Sequence, residues 1–209
     1  PAYCRTLAQQ TAQAVAEARR NAVPARVGAG LGHEDSVSFN RRFRMKDGSV
    51  RTHPGRMNPD IVEPEGPIDP DVAVIAVESV EGELLGCIVN HALHATVVGG
   101  SEFSPDWPGY MRQTIRGGVG RDIGVVFLNG ACGDVTQVDN RNPRAPEFGE
   151  AWGRRIGTIL GAEALKVLAR MEYSADAPLA IAVETLRLPI RDLGESDEAL
   201  VARETPASG

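Results

Sequence analysis

The sequence predicts an α/β domain with a mixed β-sheet flanked by α-helices. Three observations lead there. β-Branched apolar runs alternate with stretches of helical period; two of those runs are joined by a hairpin-sized connection; and polar residues crowd the ends of the runs.

Taken in order, Leu7, Ala8, Thr11, Ala14, Val15 and Ala18 recur at helical spacing and Pro24 ends the pattern, so an amphipathic helix is expected over about 5–20. Ala25 to Gly30 reads as a short strand. Gly32 to Pro70 reads as a long polar excursion rich in Pro and Gly, a length of loop that compact domains keep for function or flexibility. Val72 to Val80 and Leu84 to Ala92 flank Glu81-Gly82-Glu83 and predict a β-hairpin. Asp106 is expected to cap a short helix with Pro108 in its first turn, running through Ile115 and stopped by Gly117-Gly118. Ile123 to Leu128 is a near-continuous apolar run, as in a strand covered on both faces. Phe148, Trp152, Ile156, Ile159, Leu160, Ala164, Val167 and Leu168 mark a long amphipathic helix within 146–170, and Leu179 to Leu188 alternates like a final strand.

With 209 residues, 42% hydrophobic and 24% charged, the chain can bury one sizeable core, and positions 1–209 read as a single, incomplete domain. The stretch from Gly194 to Gly209 is acidic and rich in small residues, as in a loosely held tail. The opening Pro1-Ala2-Tyr3-Cys4 has no Met and enters a helical pattern at once, so a piece of a longer protein is expected. A net charge of −6 argues against nucleic acid or an anionic membrane surface as main partner, since both require concentrated Lys and Arg. No run reaches the roughly 20 apolar residues of a membrane helix. Cys4, Cys87 and Cys132 are odd in number and widely spaced, which predicts buried thiols and no disulfide framework.

The chemistry is expected at two strand ends. Asn90-His91-Ala92-Leu93-His94-Ala95-Thr96 and Phe127-Leu128-Asn129-Gly130-Ala131-Cys132-Gly133-Asp134-Val135-Thr136 both leave apolar strand patterns and break into small and polar residues. Strand ends hold side chains rigidly while the loops beyond stay open to a ligand. His94 is either a hydrogen-bonded core histidine or a metal ligand, a task it suits because a neutral imidazole on a rigid element is a good zinc donor. His91, three residues away, is expected on the opposite face, and His33 and His53 in the solvated excursion. Arg41 belongs either to a basic surface run with Arg42 and Arg44 or to a site for developing negative charge. Asp134 is a turn-former or a group that orients a metal ligand, and Thr136 a turn hydroxyl or a substrate-positioning one.

Taken together, these segments resemble the neutral, non-lysosomal ceramidases. Asn90 to Thr96 is similar to the family's strand-end His-Gly-Thr segment, and Ser104 to Tyr110 to its Ser-Gly-Asp-Asn-Lys-Gly-Tyr stretch. Gly130 to Val138 looks like its Gly-Asp-Val-Ser-Pro-Asn loop and Phe39-Asn40-Arg41 like its Ile-Asn-Arg segment, all in the family's order, covering most of residues 5–190. The excursion from Arg41 to Asp71 looks closer to smaller bacterial proteins that carry only a ceramidase-like N-terminal domain. The resemblance implies a piece of a larger catalytic domain in a Zn2+-dependent amidase that acts on an N-acylsphingosine or related lipid or small-molecule amide through metal-activated water. His94 matches a zinc-ligating His, Arg41 an active-site Arg and Thr136 the active-site Ser, with Asp134 beside it. The family's other ligands are expected outside Pro1 to Gly209, so the chain alone is expected to be inactive. Two alternatives stay open: a hydrolase of another ester, amide or phosphoester on the same scaffold, and a metal-free binding domain. Neither compartment nor oligomeric state is indicated.

Overall fold

The structure is a computed structural model that describes residues 2–143 and 147–189. In chain order it contains α1 (Ala2–Arg20), β1 (Ala25–His33), β2 (Phe39–Asn40), β3 (Arg42–Met45), β4 (Val50–Thr52), β5 (Ile61–Pro64), β6 (Asp71–Ser79) and β7 (Leu84–His91). There follow α2 (Asp106–Val119), β8 (Gly124–Asn129), β9 (Val135–Thr136) and α3 (Glu150–Leu168). Two compact units are distinguished, Pro1–Ala177 and Pro178–Gly209, and every element lies in the first.

The main sheet has the order β1-β6-β7-β8. β1, β6 and β7 are antiparallel neighbours, and β8 runs parallel to β7, with α2 as the crossover that a parallel pair requires. The sheet is mixed, as the sequence predicts. β6 and β7 pack Val72, Val74, Ala76, Cys87 and Val89 against Trp107, Met111 and Ile115 of α2 and Ile156, Leu160, Ala164 and Val167 of α3. Glycines let these layers approach closely. A Cβ on Gly157 of α3 would lie 2.5 Å from the Trp107 carbonyl oxygen, and one on Gly30 of β1 2.7 Å from Cγ1 of Val167. Buried Glu163 of α3 also accepts the His33 backbone N–H at 2.9 Å, tying the end of β1 to the helix.

Several expectations are corrected. α1 forms over the expected residues, but none of them is buried, so it does not flank the sheet; both covering helices, α2 and α3, lie on one face. Cys4 is therefore exposed, whereas Cys87 is buried and its thiol is pushed up to about 11 by burial. β8 is an edge strand with Val126 and Leu128 each half exposed, so its continuous apolar run does not mean cover on both faces. The register sets Ile75, Ile88 and Val126 side by side on that open face. The excursion is built rather than loose: β4-β3-β5 form a three-stranded antiparallel sheet with Phe43 and Met45 buried, because alternate residues of β3 face inward.

α2 runs past Gly117-Gly118 and stops at Gly120, whose left-handed conformation (φ 71°) closes the helix with an N–H bond to the Arg116 carbonyl. Asp106 is the first residue of that helix and Pro105 its cap; one carboxylate oxygen of Asp106 accepts the Trp107 N–H and the other reaches back to the preceding loop. Residues 179–188 carry no regular secondary structure and are exposed; an alternating pattern makes a strand only beside a partner, and no ladder includes them among the described residues. The tail from Gly194 lies outside the described residues.

Candidate functional site

Two short strands bring the distant motifs together. β2 and β9 pair antiparallel, Phe39 with Thr136 and Asn40 with Val135, and the Arg41 N–H continues the ladder to the Asp134 carbonyl oxygen at 2.8 Å. The guanidinium of half-buried Arg41 folds back along this segment and donates from Nη2 to the Gly133 carbonyl oxygen at 2.6 Å. Arg42 and Arg44, its neighbours in the basic run, are the solvated ones: their side chains are 45% and 55% exposed and pair with Glu65 and Glu63.

The same ladder receives the histidine. His94 lies three residues beyond the end of β7, half-buried, and its Nδ1–H donates to the Val135 carbonyl oxygen at 2.8 Å. That bond fixes the tautomer and leaves the Nε2 lone pair without a hydrogen-bond partner among the described residues. His91 points elsewhere, as expected: it is buried, its Nδ1–H donates to the Asp71 carbonyl oxygen at 2.9 Å, and its Nε2 faces Ser38 Oγ at 3.3 Å. Burial holds its pKa below the usual imidazole value, partly offset by the bond to Asp71. His33 is exposed, 3.6 Å from Asp35; His53 is exposed as well but has a partner, Asn140 Oδ1, at 3.2 Å.

Thr136 is buried, and its hydroxyl donates to Gln137 Oε1 at 3.0 Å. The carboxylate of Asp134 accepts from Asn40 Nδ2 at 2.7 Å, a side-chain partner rather than the turn amides expected for it. Asn40 is the residue that sequence reasoning missed. It is buried, its Nδ2 donates to both Asp134 and the Pro67 carbonyl oxygen, and its Oδ1 accepts the Arg42 N–H. The only sequence signal was its place beside Arg41 in the Asn-Arg pair. Asn40 also borders a cavity of about 360 Å³ whose wall includes Ser38, Phe43, Ile68, Asp139 and Arg141. His94, Arg41 and Thr136 do not line that cavity.

Among the described residues, no group of three or more His, Cys, Asp or Glu is arranged to hold a metal ion. His94 nevertheless has the chemistry of a single ligand: a fixed tautomer, a carbonyl on the second nitrogen and an open first one.

The mixed sheet covered by two helices, with Arg41, His94, Asp134 and Thr136 carried by adjoining backbone segments, is an α/β fold whose solved neighbours are ceramidases. Among solved structures it is similar to neutral ceramidase from Pseudomonas aeruginosa, with 27% identity and a TM-score of 0.56 over 76% of this chain and 25% of that one. It is also similar to a ceramidase complexed with C2, with 27% identity and a TM-score of 0.53 over 70% of this chain and 22% of that one. The chain thus spans about a quarter of the length of these relatives. No family model matches it, and no curated protein does.

Proposed function

We propose that this chain contributes part of the active site of a zinc-dependent hydrolase that cleaves an amide bond, as in an N-acylsphingosine or a related N-acyl amide. The observation that carries the reading is the His94 imidazole, bound through Nδ1 to Val135 and open at Nε2, on the ladder that also holds Arg41 and Thr136. When bound, zinc would supply Lewis acidity and an acidified water. His94 would hold the ion, and the remaining ligands would come from outside the described residues. Arg41 would present the rest of its donor fork to negative charge developing on the carbonyl oxygen. Asp134, fixed by Asn40, would hold the local field and the loop shape. Thr136 would orient the polar end of the substrate after its hydroxyl turns from Gln137.

The test is His94→Ala in the intact polypeptide. Zinc content by metal analysis and hydrolysis of an N-acyl amide should both fall by most of their value while the circular dichroism spectrum is retained. Full zinc and full turnover in that variant would refute the assignment.

A further inference from the structure

The strongest unexplained feature is Asp106. It is buried, it is not glycine, and its backbone sits in the left-handed region at φ 51°. Strained backbone of this kind persists only where the surroundings over-determine it. Here the left-handed turn aims the carboxylate back beneath the preceding loop. One oxygen accepts the N–H groups of Val97 at 2.9 Å and Val98 at 2.7 Å, and the other accepts the Trp107 N–H at 2.7 Å. The next residue completes the grip, because Trp107 donates from Nε1 to the carbonyl oxygen of His94 itself at 3.0 Å.

Trp107 has nowhere to move. It is fully buried, it meets Phe127 of β8 edge-on with ring centroids 4.6 Å apart, and its carbonyl lies against the close approach at Gly157. The backbone from His94 to Val98 is thus bonded at both ends to the first turn of α2, which the core immobilises. The ring, carried on this main chain, reaches the Val135 carbonyl oxygen through Nδ1.

We propose that Asp106 and Trp107 are positioning residues for His94, holding its main chain so that Nε2 presents its lone pair in one direction. The proposal rests on the reading of His94 as a metal ligand. It goes beyond that reading by assigning the ligand's orientation to the α2 N-terminal turn. A loop closure that served stability alone would tie down the segment without affecting the imidazole.

The test uses Asp106→Asn, Asp106→Ala and Trp107→Phe. Asn tolerates the left-handed backbone and keeps one acceptor oxygen, so it should fold; Trp107→Phe keeps most of the packing and removes only the donor. Zinc affinity of the intact polypeptide by chelator competition should weaken about 10–100-fold in Asp106→Ala, the scale of loss when a group that orients a metal ligand is removed, and less in the other two. In parallel, long-range 15N–1H NMR of metal-free protein reads the His94 tautomer. The wild type should show Nδ1–H, and the variants a mixture. If Asp106→Ala does not fold, the other two decide. Folded variants with an unchanged His94 tautomer and zinc affinity within twofold of wild type would overturn the proposal. A wild type that binds no zinc would end the hydrolase reading instead, and the tautomer would still decide the positioning role.

Discussion

His94 and Val135, 41 residues apart in sequence, are joined by a 2.8 Å hydrogen bond from imidazole Nδ1 to carbonyl oxygen. The bond links the loop after β7 to β9 and couples the histidine to the segment that holds Asp134 and Thr136. One neutral hydrogen bond at a half-buried site stabilises by about 1 kcal/mol. His94→Ala should therefore lower the denaturation free energy by only about that much. A loss of several kcal/mol in urea titration would mark His94 as a structural residue.

Arg41 should be intolerant of lysine. Its Nη2 is held by the Gly133 carbonyl oxygen, which leaves the rest of the planar fork for a ligand, and an ammonium on a flexible stem cannot reproduce both functions. Arg41→Lys should reduce kcat/KM for an N-acyl amide by about 2–4 kcal/mol in transition-state terms, with an unchanged melting temperature. Unaltered kinetics would leave Arg41 as a clamp on the 133–134 turn.

Gly157→Ala should destabilise the domain. The new methyl would fall 2.5 Å from both the Trp107 carbonyl oxygen and Tyr110 Cβ, and 2.6 Å from the Met111 nitrogen, so α2 and α3 must separate. Overpacking of this kind costs about 1–3 kcal/mol, readable as a lower urea midpoint at constant m-value. Gly117→Ala, where a Cβ meets nothing within 4 Å, is the control and should be neutral or stabilising.

Stability should fall with acid through His91. Burial depresses its folded-state pKa below the unfolded value, so between the two the unfolded chain binds more protons. The stabilisation from the neutral ring is complete above the unfolded pKa, near 6.5, and is lost as pH falls through the folded one. The denaturation free energy of His91→Gln should be flatter than wild type across that window. Parallel pH profiles for the two proteins would show that His91 is not the titrating group.

Residue order alone determined the elements whose signal is local. The Val72–Val80 and Leu84–Ala92 hairpin, the long C-terminal helix and the strand-end placement of His94 follow from periodicity and a Gly-containing turn, because neighbours in sequence impose them. The family resemblance likewise came from ordered motifs, and the similarity to neutral ceramidase over 76% of the chain agrees with it.

Tertiary structure decided what depends on distant partners. The apolar run in β8 and amphipathic spacing in α1 state which residues could be buried, not whether anything covers them; the open sheet face and the exposed α1 come from both packed helices lying on one side. Asn40 was marked in sequence only by its place beside Arg41 and Asp106 only by a helix-cap signal, since a short carboxylate reads as a local cap until its partner is known. Their partners, Asp134 at a separation of 94 residues and the amides of Val97 and Val98, exist only after the chain has closed. Long-range hydrogen bonds fix the geometry of the site, and a one-dimensional pattern has no term for them.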